Sequence, residues 1–408
     1  MKSKNFLRDN FYLLVGAAVI NISGFLFHFF MGRKLGPVDY GTLATVISLV
    51  ALFGVFTTSI QFSISKFVAS MKAEGSLKKI RYLYSASLKK FTGLFVVIAI
   101  GFLLLSFYLD GFLKVNYSYL FIASLMILTI PFISVFRGFL QGLQNFKSFG
   151  ISLGIEGVSK LALGIIFVLL YQKVGLAITA ILLSNVAVAV YCFYKVKEYS
   201  KGEKEWFSSK SIYGYAFPMF LTVLLFTLFY SIDLILVKHF FSSIDAGYFA
   251  AISLIGKIIF FASFSVVQVM FPKVVELAEN GSPHEGVFMK SFWIITLIAL
   301  VILPVYYFFG DLIISTLFGS SYTTIASLIF PYGLFMASVS FSKLYSLYFL
   351  SLKKFKFLYF FGGIIVLEIG GIYAFHDSLA QVIGYLLLLG MVLWLFLAII
   401  SLRLKKNG

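Results

Sequence analysis

The sequence predicts an all-α polytopic membrane protein: about twelve transmembrane helices in two pseudo-symmetric six-helix lobes around a central cavity. Three observations predict it. Apolar stretches of roughly 20 residues, each long enough to cross the hydrocarbon of a bilayer, recur along the chain. Lysine and arginine crowd every second gap between them. Short segments of the first half reappear in the second at a nearly constant offset.

Composition agrees with this class. The 408 residues are 61% hydrophobic, 19% aromatic and only 12% charged, a balance no water-soluble fold carries. Twelve spans consume roughly 240 residues, so the connections are short and no soluble catalytic or binding domain fits between them. Function therefore lies inside the bilayer. The net charge of +17 is dispersed among apolar spans, which points to a membrane surface and away from nucleic acid. Cys192 is the single cysteine, which excludes an intramolecular disulfide and a cysteine metal cluster.

The first span, 11–31, follows Lys2, Lys4 and Arg8 and has no small-residue cleavage site after it, so it reads as a retained signal anchor. The next spans are 41–65, 91–109, 117–136, 149–171 and 174–194, and they close an N-terminal lobe of residues 1–195. A cytoplasmic linker, 196–211, leads to a C-terminal lobe of residues 212–408. That lobe holds spans 212–237, 246–271, 290–309, 323–351, 357–375 and 378–402. With the N-terminus inside, the cytoplasmic segments carry 25 Lys/Arg, and the outer loops carry five: Arg33, Lys34, Lys114, Lys173 and Lys238. This asymmetry predicts a multi-pass protein of the cell membrane with both termini cytoplasmic.

The duplication sets Asp39-Tyr40-Gly41-Thr42-Leu43-Ala44 against Asp245-Ala246-Gly247-Tyr248-Phe249-Ala250, 206 residues later. Leu140 to Lys147 matches Phe349 to Lys356 at an offset of 209. Six spans separate each pair, so the repeats are parallel, the arrangement of an alternating-access transporter.

An ionisable side chain in mid-bilayer costs about 2.5–3.5 kcal/mol on insertion scales, so each one asks for a partner or a cavity. Glu156, Lys160, Asp233, Lys257, Lys343 and Glu368 fall within spans. On span five, Ser152, Glu156, Ser159 and Lys160 share one face, and Gly150, Gly154, Gly157 and Gly164 form a neighbouring face suited to close packing. Glu156 and Lys160 either line the cavity wall or neutralise each other as an i, i+4 pair. Lys257 has no opposite charge three or four positions away; it either faces the cavity opposite Lys160 or pairs with Asp233 or Glu368. Lys343 is nearer the cytoplasmic end and is expected to snorkel to the interface. Pro131, Pro218, Pro304 and Pro331 lie within spans as kinks or bends.

Gly32-Arg33-Lys34-Leu35-Gly36-Pro37-Val38-Asp39-Tyr40-Gly41 resembles the segment after the first span of polysaccharide-biosynthesis (Wzx-like, O-antigen or lipid-linked oligosaccharide) flippases. These form a branch of the multidrug/oligosaccharidyl-lipid/polysaccharide (MOP) exporter superfamily. Arg137-Gly138-Phe139-Leu140-Gln141-Gly142, Asp233 with Ala246-Gly247-Tyr248, and Leu317-Phe318-Gly319-Ser320-Ser321-Tyr322 are similar to the same family.

The resemblance implies a MATE/MOP-like fold and outward movement of undecaprenyl- or dolichyl-type lipid-linked sugars by alternating access. Its implied partners are that lipid-linked substrate, membrane lipids, a coupling H⁺ or Na⁺, and other polysaccharide-assembly proteins, with no cofactor and no nucleic acid. Lys160 and Lys257, with Glu156, Arg137 and Arg33, are then the candidate substrate contacts, and Asp233 and Glu368 the candidates for ion coupling. Two alternatives stay open: a MATE-like ion-coupled multidrug antiporter, and a membrane-embedded polysaccharide polymerase or glycosyltransferase. The first would want a carboxylate in the first lobe's cavity, and span one offers only Asn21, Ser23 and His28.

Enzyme signals are sparse. Gly150-Ile151-Ser152-Leu153-Gly154 matches the G-x-S-x-G nucleophile pattern in letters, but that elbow joins a strand to a helix and this segment opens a membrane span. His28, His239, His284 and His376 lack metal-ligand spacing.

Overall fold

The computed structural model describes residues 2–207 and 210–406, without the side chains of 2–10, 73, 210–219, 272, 276, 279 and 403–406. Pro218 and the basic residues Lys2, Lys4 and Arg8 thus have side chains outside the described set. The described chain is helical almost throughout. Its helices are α1 (Lys2–Ala73), α2 (Leu77–Leu113), α3 (Tyr117–Gly142), α4 (Phe146–Tyr171), α5 (Val174–Val196), α6 (Lys210–Phe229), α7 (Ile232–Phe240), α8 (Ser243–Glu279), α9 (Glu285–Leu317), α10 (Ile329–Ser351), α11 (Phe357–Ala374) and α12 (Leu379–Lys406). Short 3₁₀ turns occupy Lys197–Ser200 and Ser320–Leu328.

Among the described residues, eleven helical segments are long and apolar enough to cross a membrane. The first, Phe11–Lys72, has 62 residues. At about 1.5 Å per residue it is roughly three times longer than the hydrocarbon is thick. It is interrupted at Gly36, whose φ of 75° and ψ of 176° lie outside the helical region. Only glycine adopts that conformation without strain, and Pro37, lacking an N–H, restarts the helix. α1 is therefore long enough for two crossings, a first arm before Gly36 and a second arm after it, which among the described residues makes twelve segments able to span.

Several boundaries differ from the sequence expectation. Span 212–237 is broken at Tyr230–Ser231 into α6 and the nine-residue α7. The span expected to begin at 323 starts as a 3₁₀ turn, and the α-helix begins only at Ile329. α2 starts at Leu77, well before residue 91, because Lys78, Lys79, Arg81, Lys89 and Lys90 extend it as a polar-faced prefix.

The chain divides into two compact units, Met1–Phe220 and Leu221–Gly408, with the division inside α6. Within the first, α1 packs on α3 and α4, α3 on α2 and α5, and α4 on α5. Within the second, α8 packs on α10, α10 on α9 and α12, α7 on α11, and α11 on α12. α1 packs on α3 in the first unit as α8 packs on α10 in the second, and α3 packs on α5 as α10 packs on α12. The segment after α5 belongs to the first unit, where Glu203 pairs with Lys78 at 2.5 Å and the Glu205 N–H donates to the Lys78 carbonyl.

Glycines set the closest helix contacts in the first unit. A methyl group at Gly157 would stand 2.8 Å from the Ile20 Cα, and one at Gly164 would stand 2.6 Å from the Phe27 ring. The glycine face of α4 thus lies on the first arm of α1, while Gly138 and Gly142 of α3 admit the second-arm backbone at Gln61 and Ser65. The amide of Gln61 donates to Gln141 Oε1 at 3.0 Å, which fixes that register. Outward faces are apolar: Leu94, Val97, Ile100 and Leu104 on α2, and Trp293, Leu297, Leu300 and Val301 on α9, are exposed, as lipid-facing residues should be.

Candidate functional site

Two charge clusters, one in each unit, gather most of the ionisable residues that the sequence places within spans. In the first unit Arg137, near the C-terminal end of α3, turns into the packed space between α3 and α4. Its side chain is 8% exposed, and its Nη2 lies 2.7 Å from Glu156 Oε2 on α4. The guanidinium Nε donates to Ser152 Oγ and Nη2 to the Ser152 carbonyl, each at 3.0 Å. The ion pair is close, though among the described residues no N–H reaches Glu156 Oε2 in hydrogen-bonding geometry. Ser152 and Glu156, one turn apart on α4, together form the receptor for a single guanidinium. Ser184 of α5 donates to the Glu156 carbonyl and accepts from Ser159, so α5 holds the same turn of α4 from another side.

Lys160 lies one turn beyond Glu156. Among the described residues it makes no ion pair within 4 Å; its Nζ stands 5.5 Å from the centroid of Phe27 and against Gly24 on the first arm of α1, still within electrostatic range of Glu156. The self-neutralising Glu156–Lys160 pair that i, i+4 spacing allows therefore gives way to an Arg137–Glu156 clamp between helices. A planar guanidinium meets a carboxylate and a carbonyl at once, which an ammonium on the same helix does not. Arg137 is a buried tie between α3 and α4. Arg33 is exposed beside the Gly36 break. Ser152, the central letter of the G-x-S-x-G match, is fully buried in mid-helix and donates to the Phe149 carbonyl, so it has no nucleophile-elbow geometry.

The second unit places Asp233, Lys257 and Glu368 together. The break at Tyr230–Ser231 puts Asp233 in the first turn of α7, where its Oδ1 accepts from the Leu234 N–H at 2.7 Å. Its Oδ2 accepts from the Tyr332 hydroxyl of α10, also at 2.7 Å, and that hydroxyl is 3.0 Å from Ser253 Oγ on α8. Gly256 makes room for the Tyr332 ring, since a methyl group there would collide with it. Asp233 and Glu368 are fully buried. Among the described residues, neither Glu368 carboxyl oxygen has a hydrogen-bond partner. Lys257 is in electrostatic range of both carboxyls, and its ammonium stands 5.6 Å from the centroid of Tyr230. Of the two roles open to Lys257, the structure supplies the neighbours required by the pairing one.

Two features carry little signal in the sequence. The helix break that delivers Asp233 is marked only by Ser231, an ordinary helix-start residue two positions before an acid. Lys343 does not snorkel: its Nζ lies 3.9, 4.5 and 5.6 Å from the ring centroids of Phe264, Phe260 and Phe226. These rings come from α8 and α6, so no pattern along α10 reveals them.

A model of the family described as "Polysaccharide biosynthesis protein" matches residues 6–278. The chain belongs to that family. An uncharacterized membrane protein of Methanocaldococcus jannaschii is 25% identical over 366 residues, covering 82% of this chain and 86% of that one. Among solved structures, this family member is similar to the inward-facing conformation of a multidrug resistance MATE family transporter of the MOP superfamily. The TM-score is 0.79 at 15% identity, over 97% of this chain and 99% of the other. The outward-facing conformation of such a transporter gives a TM-score of 0.66 at 19% identity, over 98% and 96% of the two chains. At these identities the likeness shows the fold: this polysaccharide biosynthesis protein is an all-helical membrane protein built like the MOP-superfamily transporters.

Proposed function

We propose that this protein is a flippase that moves a polyprenyl-phosphate-linked oligosaccharide or polysaccharide repeat unit from the cytoplasmic to the outer leaflet by alternating access. Membership of the polysaccharide biosynthesis family on a transporter fold carries the reading. The sugars and phosphate of such a cargo are costly in hydrocarbon, while its prenyl tail is at home there. A protein for this task needs cations within its spans and an apolar exterior, and this chain has both. Moving a phosphate outward from a negative-inside cell is also electrically favourable, by about 2.3 kcal/mol per charge per 100 mV.

Lys160 and Lys257 remain the proposed cargo contacts at mid-span, with Arg137 and Glu156 holding α4, which carries Lys160, in place. Arg33 is the proposed guide at the outer surface. The proposed coupling site for H⁺ or Na⁺ is Asp233 with Glu368, because a buried carboxyl whose oxygens have no hydrogen-bond partner among the described residues calls for a proton, a cation or Lys257 to neutralise it.

In cells, loss of this protein is expected to halt surface polysaccharide and to accumulate its lipid-linked precursor on the cytoplasmic leaflet. Unchanged surface polysaccharide, with new sensitivity to cationic dyes, would favour the antiporter reading and overturn this one.

Orientation is part of the proposal. Both termini are assigned to the cytoplasm on the 25-to-five charge asymmetry. A cysteine placed at Ser200 or Ser282 should react only with a reagent inside the cell, and one at Asn116 only with a reagent outside. Labelling of Ser282 and Asn116 from one side would contradict the twelve-span arrangement.

A further inference from the structure

We infer that Lys343 is an anion-holding site of the C-terminal unit, with a prenyl phosphate or diphosphate as its ligand; the assignment rests on the flippase reading. Three other cations within the helices already have opposite charge near them: Arg137 pairs with Glu156, Lys160 is in range of Glu156, and Lys257 lies in the field of Asp233 and Glu368. Lys343 has none. Among the described residues, no carboxylate pairs with it and no oxygen accepts a hydrogen bond from it, and the only groups ordered about its ammonium are phenyl rings. The residue as a whole is partly exposed, while its ammonium sits among the rings.

The geometry gives the ammonium an aromatic surround and no counter-charge among the described residues. Ring faces attract an ammonium through their quadrupole, by about 0.5–2 kcal/mol, but they accept none of its three N–H bonds in the way water or a carboxylate does. Phe226 from α6 and Phe260 and Phe264 from α8 hold the Lys343 Nζ on α10 while thinning the water around it. An anion arriving there meets a charge with its donors free in a medium of low dielectric, where a charge-assisted hydrogen bond is at its strongest. The surrounding rings select the kind of anion. A hydrated inorganic ion gains nothing from three phenyl groups, whereas a phosphate attached to a prenyl chain brings an apolar segment to lie against them.

A structural account also exists, in which the lysine is merely a packed strut over the rings, and the test separates the two. The purified full-length protein in detergent would be given farnesyl diphosphate, farnesol, or inorganic pyrophosphate. Farnesyl diphosphate is expected to bind more tightly than either of the others. Lys343→Gln should weaken it about tenfold while leaving farnesol unchanged, the loss expected for one charge-assisted contact. Lys343→Arg should keep part of the affinity, and Lys114→Gln, in an outer loop, should keep all of it.

If Lys343→Gln fails to fold, the unmodified protein still decides. Farnesyl diphosphate, but not farnesol, should protect Lys343 from an amine-acylating reagent, read by peptide mass spectrometry. Equal acylation with and without farnesyl diphosphate, or equal affinity in folded Lys343→Gln, would overturn the assignment to Lys343 alone. An unmodified protein that binds neither farnesyl diphosphate nor a lipid-linked oligosaccharide would overturn the flippase reading and this inference with it.

Discussion

Arg137→Ala is expected to destabilise the protein by about 3 kcal/mol, near the lower end of the range for breaking a buried ion pair. The substitution leaves Glu156 without its close ion-pair partner, with only the more distant Lys160 ammonium in electrostatic range, and removes both hydrogen bonds to Ser152. Glu156 keeps 26% of its side-chain surface exposed, so water absorbs part of the cost, which is why the loss stays at that end. Adding Glu156→Gln to Arg137→Ala should restore most of it, because the stranded charge disappears. Thermal unfolding in detergent micelles measures all three proteins. An unshifted midpoint for Arg137→Ala would show that the α3–α4 clamp contributes nothing.

Lys257→Ala should act in the second unit by a different route. With the ammonium gone, Asp233 and Glu368 remain as two buried carboxyls in each other's field, and among the described residues Asp233 keeps the Leu234 N–H and the Tyr332 hydroxyl as donors. A loss of about 1–3 kcal/mol follows for leaving such groups uncompensated. Lys257→Ala with Glu368→Gln should recover it. Flipping should stay low in both proteins if Lys257 also contacts cargo, and Lys257→Arg should retain part of it. A stable Lys257→Ala protein that flips at the unmodified rate would remove Lys257 from the cargo path.

The helices are legible in the sequence because each span repeats one simple fact, a length of apolar residues matched to the bilayer. The glycine face of α4 is legible for a similar reason: Gly150, Gly157 and Gly164 follow helical spacing, and absent side chains attract a neighbouring helix. Partners chosen across helices leave no such trace. Glu156 has Lys160 at the favoured i, i+4 spacing, yet it turns to Arg137, nineteen positions away, because the guanidinium also satisfies Ser152. Lys343 has the sequence position of a residue near a membrane edge, and only α6 and α8, folded against α10, supply its three rings. The break at Tyr230–Ser231 carries neither glycine nor proline, the residues that announce Gly36, and so a single span is expected where α6 and α7 meet.

Passage of a lipid-linked sugar across the bilayer is measured directly in vesicles holding the purified protein and a fluorescent undecaprenyl-diphosphate-linked oligosaccharide, with a membrane-impermeant quencher added outside. If this chain is the flippase, nearly all the fluorescence becomes quenchable in vesicles that contain it, while about half stays protected in protein-free vesicles. Protection of the same half in both, with the protein folded and inserted, would contradict that function.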